Sequence, residues 1–102
     1  MTDAEMLAML KADLEIVTDY MDVQAQIEKN NNLQSYIEAS KVYIKREGVT
    51  LNLNDPGDAK LVCMYAAWLY RARKVTDNQP MPRYLRWTLN NRIHQETVGR
   101  LG

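Results

Sequence analysis

Apolar residues recur at helical spacing in four stretches of this chain, and turn-forming residues separate the stretches. The first stretch predicts a short helix over residues 3–13, and Thr2 followed by Glu5 has the spacing of a capping box at its start. The apolar positions of this helix are Met6, Leu7, Leu10 and Leu14. Residues 15–21 include β-branched and aromatic side chains, which favours an extended connection after the helix.

A second, longer helix is predicted from Asp22, which can cap its start, to about Arg46, where Gly48 supplies a left-handed stop. About 25 residues of helix would span ~37 Å, which is long for so small a domain. The three asparagines at positions 30–32 weaken this helix, because each Asn costs about 0.5–0.7 kcal/mol relative to Ala, and the sequence leaves open whether the helix breaks there. The predicted buried stripe is Ile27, Leu33, Ile37, Ser40 and Ile44.

The segment 49–53 alternates apolar and polar residues, which predicts either one short strand or an extended loop. A third helix, over about residues 56–74, starts where Asp55 can cap it and Pro56 occupies the first helical position. This helix is apolar on nearly every side, so it is buried on more than one side. It is therefore either the central helix of the domain or a helix that a neighbouring subunit also covers.

A loop over residues 75–82 precedes a fourth helix, which runs to about Thr97 with Leu85, Leu89 and Ile93 on one stripe. Residues 98–102 contain two glycines and are expected to form a free, flexible tail. No repeat or second domain is evident. The sequence thus predicts one all-α domain over residues 1–102, a small bundle of about four helices.

The chain has 102 residues, of which 13 are basic and 13 acidic, and 46% are apolar. This length fits a single domain, and the neutral total argues against a protein that binds nucleic acid with its whole surface. The charges are unevenly divided: residues 1–40 hold eight acids and two bases, whereas residues 41–102 hold eleven bases and five acids. The two halves would provide complementary surfaces for copies stacked head to tail.

Cys63 is the single cysteine, which excludes an intrachain disulfide and a cysteine zinc cluster and favours a reducing compartment. It lies in the uncharged run Leu61–Tyr70, about half the ~20 residues that span a bilayer, which favours a buried helix. The acidic start of the chain is unlike a signal peptide. We expect no membrane contact and a soluble, cytoplasmic protein.

Few residues could carry out catalysis. His94 is the only histidine and lies beside the apolar stripe of the fourth helix, which favours a surface or core-edge position over a metal ligand or base. Cys63 is expected to be a small buried hydrophobe and not a reactive thiol. There is no glycine-rich phosphate loop, HExxH sequence or nucleophile-elbow serine. We expect no enzyme activity, no metal and no cofactor.

Basic and aromatic residues are interleaved where the third helix ends and the fourth begins. Such residues suit contact with nucleic acid, but cations that compensate the helix dipole at a solvated helix end are the commoner explanation. The connecting loop has about seven residues and two prolines, unlike the 3–4-residue turn of DNA-reading motifs. The candidate DNA-channel or interface residues are Arg71, Arg73, Lys74, Arg83 and Arg86, with Tyr84 and Trp87 between them. The candidate subunit-packing residues are Met64, Trp68 and Trp87.

The order of these segments resembles that of a known family. The short first helix ends in Leu14-Glu15-Ile16, the second closes with LQSYIEASKVYI at positions 33–44, and the third carries LVCMYAAWLYR at positions 61–71. The fourth helix contributes Tyr84-Leu85 and Leu89. Over about residues 4–96 the chain is similar to the small head–tail connector, or head-completion adaptor, proteins of long-tailed bacteriophages and their prophages. The asparagine run and the weakly apolar start of the second helix depart from that pattern.

This resemblance implies a structural role without catalysis. Such proteins form closed rings beneath the portal, extend the DNA channel, and present a surface to the next connector or tail component. It also implies a place in the virion at the head–tail junction and weak, sequence-independent contact with channel DNA. Two alternatives stay open: a small DNA-binding phage protein for packaging or regulation, and an unrelated helical interaction module.

Overall fold

A computed structural model describes residues 2–73 and 80–101, with side chains through residue 99. Four helices lie within these ranges: α1 (Asp3–Asp13), α2 (Val23–Arg46), α3 (Pro56–Ala72) and α4 (Arg83–Leu101). The described residues contain no strand, and 49–53 is a loop, so the strand alternative was wrong. The prediction of a small all-α bundle is confirmed.

Helix starts and stops follow the local chemistry that the sequence predicts. The backbone N–H of Glu5 donates to Thr2 Oγ1 at 3.2 Å, and Asp22 Oδ1 accepts from the Ala25 N–H at 2.7 Å. Gly48 ends α2 with a φ of +97°, a left-handed conformation that glycine adopts without strain. The boundaries of α1 and α2 therefore agree with the predicted ones.

The helix α2 continues through the three asparagines at positions 30–32 without a break, as one helix over the predicted range. Leu33 and Ile37 follow directly and are fully buried. Burying one such side chain contributes about 1.5–3 kcal/mol, whereas three asparagines together cost only about 2 kcal/mol. Packing of the next turns therefore outweighs the poor local propensity.

The first turns of α2 lie outside the core. Ile27 was predicted to be buried but is 48% exposed. The nearby Lys29 donates from Nζ to Tyr70 Oη at 2.6 Å, and α3 ends at Ala72, so α2 runs antiparallel to α3 and extends beyond its end. The first residue of the apolar stripe of α2, Ile27, therefore lies beyond the end of α3 and is not covered by it.

The helix α3 is the centre of the bundle, since α1, α2 and α4 each pack against it. Its buried residues are Asp58, Ala59, Leu61, Val62, Cys63, Tyr65, Ala66 and Ala67. These side chains are covered within one copy of the chain. Of the two interpretations of this apolar helix, the central helix is the one that the structure supports.

The helix α4 is longer than predicted. Leu85 and Leu89 are fully buried, but the helix continues beyond Thr97 to Leu101, so the predicted end of this helix was too early; Gly102 lies outside the described residues. Residues 97–101 contain no proline, and a single glycine costs only about 1 kcal/mol. Residues 97–99 are exposed at the projecting end of the helix.

The molecule is flat and elongated, with principal extents of 52 × 34 × 18 Å. Its radius of gyration is 14.7 Å, against about 13 Å for a compact domain of this length. Several large apolar side chains are exposed on this surface.

Candidate protein-binding surfaces

A buried ion pair joins α3, α4 and the loop before α3. Arg92 donates from Nε to Asp58 Oδ1 at 2.7 Å and from Nη2 to Asp58 Oδ2 at 3.3 Å. The same guanidinium donates to Glu96 Oε2 at 2.9 Å and to the Thr50 carbonyl at 2.9 Å, while Asp58 Oδ2 accepts the Asn52 N–H at 2.9 Å. Because these groups satisfy one another, the cluster is a structural link and not a site for a charged substrate.

The sequence did not indicate this ion pair as a whole. One local signal existed, because Arg92 and Glu96 have the i, i+4 spacing of a helical ion pair. The pairing with Asp58 spans 34 residues, and no local pattern reveals it.

The five candidate basic residues do not form one cluster. Arg71 donates to the carbonyl of Asp13 at the end of α1, at 3.1 Å. Arg73 donates to the carbonyl of Tyr70, and its guanidinium carbon lies 3.6 Å from the centre of the Tyr70 ring. These two arginines cover the end of the bundle where α1 and α3 stop, while Lys74 lies outside the described residues.

The remaining two arginines lie at the start of α4. Arg86 is half-buried and pairs with Glu47, at the end of α2, with Nη1 to Oε2 at 3.3 Å. Arg83 is exposed and has no ion pair with any residue in the described ranges. Arg83 is therefore the candidate whose charge is most available to a partner.

The three candidate subunit-packing residues differ in exposure. Met64 and Trp68 are partly buried and pack against the core, and the Trp68 ring meets the Tyr65 ring edge-on at 5.5 Å between centroids. Trp87, in contrast, is 70% exposed on α4. Of the three, Trp87 is the one that presents most of its ring to a partner.

Among the exposed large apolar side chains, which also include Val42, Tyr43 and Val98, two groups lie far apart on the molecule. The first, here called the α2-start patch, consists of Val17, Tyr20, Val23 and Ile27, each 48–79% exposed. The second, the α4-start patch, consists of Tyr84 and Trp87, which are 52% and 70% exposed. Because Arg86 contacts Glu47, the α4-start patch lies near the end of α2, and the α2-start patch lies at its beginning. The 24 residues of α2 separate them by ~36 Å.

The two patches differ in their charged surroundings. Asp19, Asp22 and Glu28 are exposed around the α2-start patch. Beside the α4-start patch Arg83 is exposed, Arg86 pairs with Glu47, and Asp55 lines one cleft together with Trp87. The α2-start patch is therefore surrounded by acidic side chains, and the α4-start patch presents the cation of Arg83.

A shallow cleft of about 320 Å³ opens beside the α4-start patch, between α4 and the start of α3. Its walls include Trp87, Asn91, Gln95 and the Asp58–Arg92 pair. Asp58 and Arg92 already bind each other, the Asp55 carboxylate also lines the cleft, and the cleft is open to solvent on one side. The cleft thus extends the α4-start patch with amide groups that can form hydrogen bonds.

The groups most often used in catalysis are dispersed. The Cys63 thiol is buried and donates to the Met6 carbonyl at 3.5 Å, and burial raises its pKa to about 11, which keeps it protonated. His94 is exposed on α4. No group of three or more His, Cys, Asp or Glu side chains within residues 2–73 and 80–99 could hold a metal ion.

Comparison of the chain with protein-family models, with curated proteins and with solved structures finds no match. Among the described helices, none is both long and apolar enough to cross a membrane. The function is therefore argued from the surface chemistry and from the resemblance noted above.

Proposed function

We propose that this chain is a structural protein that acts by binding other protein chains, and that it serves as a head–tail connector of a long-tailed phage or prophage. The observation that carries the proposal is the pair of exposed apolar patches on a bundle that already has a well-packed core. Monomeric proteins expose scattered apolar residues, but clustered aromatic and β-branched side chains beside arginines are typical of protein interfaces.

A connector has to form a ring, and a ring needs two different faces on each copy, one fitting the other. Two unlike patches at opposite ends of the longest helix supply that requirement. The flat shape, 18 Å in its thinnest dimension, is also suited to a thin layer between the portal and the next tail component. We propose the head–tail junction of the virion as its location, with assembly in the host cytoplasm.

Contact with channel DNA is a secondary part of this proposal. Of the basic candidates, Arg83 is exposed without an ion pair in the described ranges, whereas Arg71, Arg73 and Arg86 contact the protein itself. A channel that lets DNA slide needs only weak, sequence-independent attraction. Because three of the basic candidates contact the protein itself, the structure gives little support to the alternative of a DNA-binding packaging or regulatory protein.

Native mass spectrometry of the purified chain, alone and mixed with the portal protein from the same genome, tests the proposal. We expect a complex that contains one portal ring and a ring of this chain, and electron microscopy of that complex should show added density below the portal. A strict monomer that binds neither the portal nor a tail-completion protein would contradict the proposal.

A gel-shift assay separates the connector from the DNA-binding alternative. We expect weak binding to duplex DNA at low salt and none at physiological salt. Tight binding that is lost in Arg83→Ala and Arg86→Ala variants would favour the DNA-binding protein instead.

A further inference from the structure

We propose that the α2-start patch of one copy docks on the α4-start patch of the next copy, with Trp87 as the central anchor. This inference rests on the proposed function, because it names the contact by which the ring closes. Each of the two patches is thus covered by a second copy of this chain.

The apolar chemistry of the two patches matches. Trp87 and Tyr84 offer large rigid rings with little side-chain freedom to lose, and Trp, Tyr and Arg are the residue types that dominate binding energy at interfaces. The α2-start patch offers Val23 at 73% exposure and Tyr20 at 79%. A Trp ring packed among β-branched and aromatic side chains would be removed from water on most of its surface.

The charges around the patches favour contact between unlike surfaces. Asp19, Asp22 and Glu28 would face Arg83 of the next copy, whereas Arg86 is already paired with Glu47 of its own chain. A two-fold contact of the α2-start patch with itself would instead bring three carboxylates against their own kind, which costs free energy. Charge complementarity therefore selects the unlike pairing, although screening beyond ~8 Å limits its strength and leaves most of the affinity to apolar burial.

The position of the patches makes the contact intermolecular. They lie at the two ends of α2, ~36 Å apart, so one copy cannot bring its own patches together. Contact between unlike surfaces is head-to-tail and generates a ring if the rotation between copies closes, or a filament if it does not. This is the symmetry that the proposed connector needs.

Cysteine cross-linking tests the contact without removing the residues that make it. Gln24→Cys lies next to Val23, and Asn91→Cys lies one helical turn beyond Trp87; both positions are exposed. A short bismaleimide should link an equimolar mixture of the two variants into dimers and should leave each variant alone uncross-linked. The double variant should give a ladder of higher oligomers. The unsubstituted chain is the control, since its buried Cys63 should not react.

A charge exchange shows whether the pairing is specific. Arg83→Asp and Asp19→Lys should each reduce cross-linking of the mixture at least tenfold, and combining Arg83→Asp on the Asn91→Cys chain with Asp19→Lys on the Gln24→Cys chain should restore most of it. Asp is well tolerated in the first turn of a helix, so Arg83→Asp should leave the melting temperature unchanged. Trp87→Ala should also abolish cross-linking without lowering the melting temperature.

Three results would overturn the inference: cross-linking of either variant with itself alone, no cross-linking of the mixture at high protein concentration, or no rescue by the charge exchange. The outcomes for the two proposals are distinguishable. Rings on the portal without a Gln24→Cys to Asn91→Cys link would contradict this contact and leave the connector role intact. A specific cross-link between copies that do not bind the portal protein would support this contact and contradict the connector role.

Discussion

The guanidinium of Arg92 on α4 binds the carboxylate of Asp58, at the start of α3, through two nitrogen atoms at 2.7 and 3.3 Å. Asp58 is 3% exposed, so its charge is compensated almost entirely by protein groups. A further bond, from Arg92 to the Thr50 carbonyl, fixes the loop between α2 and α3 to the same point. The Arg92 side chain therefore connects α4 with the start of α3 and with the loop between α2 and α3.

Removing Arg92 should destabilise the protein strongly. Arg92→Ala leaves the Asp58 carboxylate buried without its counter-ion, and breaking one side of such a pair costs about 3 kcal/mol. Chemical denaturation monitored by circular dichroism measures the effect. Arg83→Ala is the matched control on the same helix, and its exposed side chain should change the free energy of unfolding by less than about 0.5 kcal/mol.

The double variant Asp58→Ala/Arg92→Ala separates pairing from packing. Its loss in free energy of unfolding should be smaller than the sum of the losses in the two single variants, because no buried charge is left without its partner. Additive single effects would show that the two residues act independently, contrary to their geometry.

The substitutions Gly48→Ala and Gly99→Ala should change the stability of the fold in opposite directions. Gly48 has a φ of +97°, so Gly48→Ala should cost about 1–2 kcal/mol from backbone strain alone, since nothing lies within 4 Å of the added carbon. Gly99 lies within the projecting end of α4 with open space around it, and Gly99→Ala should favour helix by up to about 1 kcal/mol. Helical circular dichroism and denaturation measure both changes. An unchanged helix signal in Gly99→Ala would argue that the end of α4 is not helical in solution.

Acid should weaken the link between α4 and the loop before α3. Hydrogen bonds from Thr50 and Arg92 hold the pKa of Glu96 below its ordinary value of 4.5. A carboxyl group whose pKa is lowered by folding contributes its full stabilisation above its unfolded pKa and loses that contribution as the pH falls through its folded pKa. The difference in stability between the native chain and Glu96→Gln should therefore be largest near neutral pH and shrink below about pH 4.5.

Asp19→Asn is the control for the acid measurement, because Asp19 is exposed and has no ion pair in the described ranges. Its effect on the free energy of unfolding should be small at every pH. If the effect of Glu96→Gln on the free energy of unfolding does not change with pH, folding does not lower the pKa of Glu96.

The Cys63 thiol should be almost inert in the folded chain. It is 3% exposed, and burial raises its pKa to about 11, so little thiolate is present at neutral pH. Ellman's reagent should react slowly in buffer and modify one thiol per chain rapidly in denaturant. Fast, complete modification of the folded protein would place Cys63 on an accessible surface, contrary to the structure.

The helix boundaries could be predicted because they depend on neighbours in sequence. Thr2 and Glu5 form their capping box within one turn, and Gly48 needs only its own left-handed conformation. The prediction for Ile27 was wrong for a different reason. Periodicity identifies the face of a helix that could be buried, but burial of that face depends on whether another helix extends that far.

The candidate surface was predictable in part. Trp87, Arg83 and Arg86 could be singled out from composition and spacing, and all three lie at the start of α4. The sequence did not reveal that Arg71 and Arg73 bind carbonyl groups of the bundle instead of a partner, since those contacts depend on where α1 ends in space. Nor did it reveal the α2-start patch, because Ile27 was predicted to be a core position.

The helix α4 packs less extensively on α3 than α2 does, and it is held by the buried Leu85 and Leu89 together with the ionic contact of Arg92 with Asp58. It is therefore the part of the molecule that can open most readily while α1, α2 and α3 stay folded. Its amide hydrogens should exchange with solvent earlier than those of the central helix. Since Trp87 is carried on α4, such an opening would withdraw the anchor from a neighbouring copy, so the readiness of this chain to assemble is tied to the local stability of its last helix.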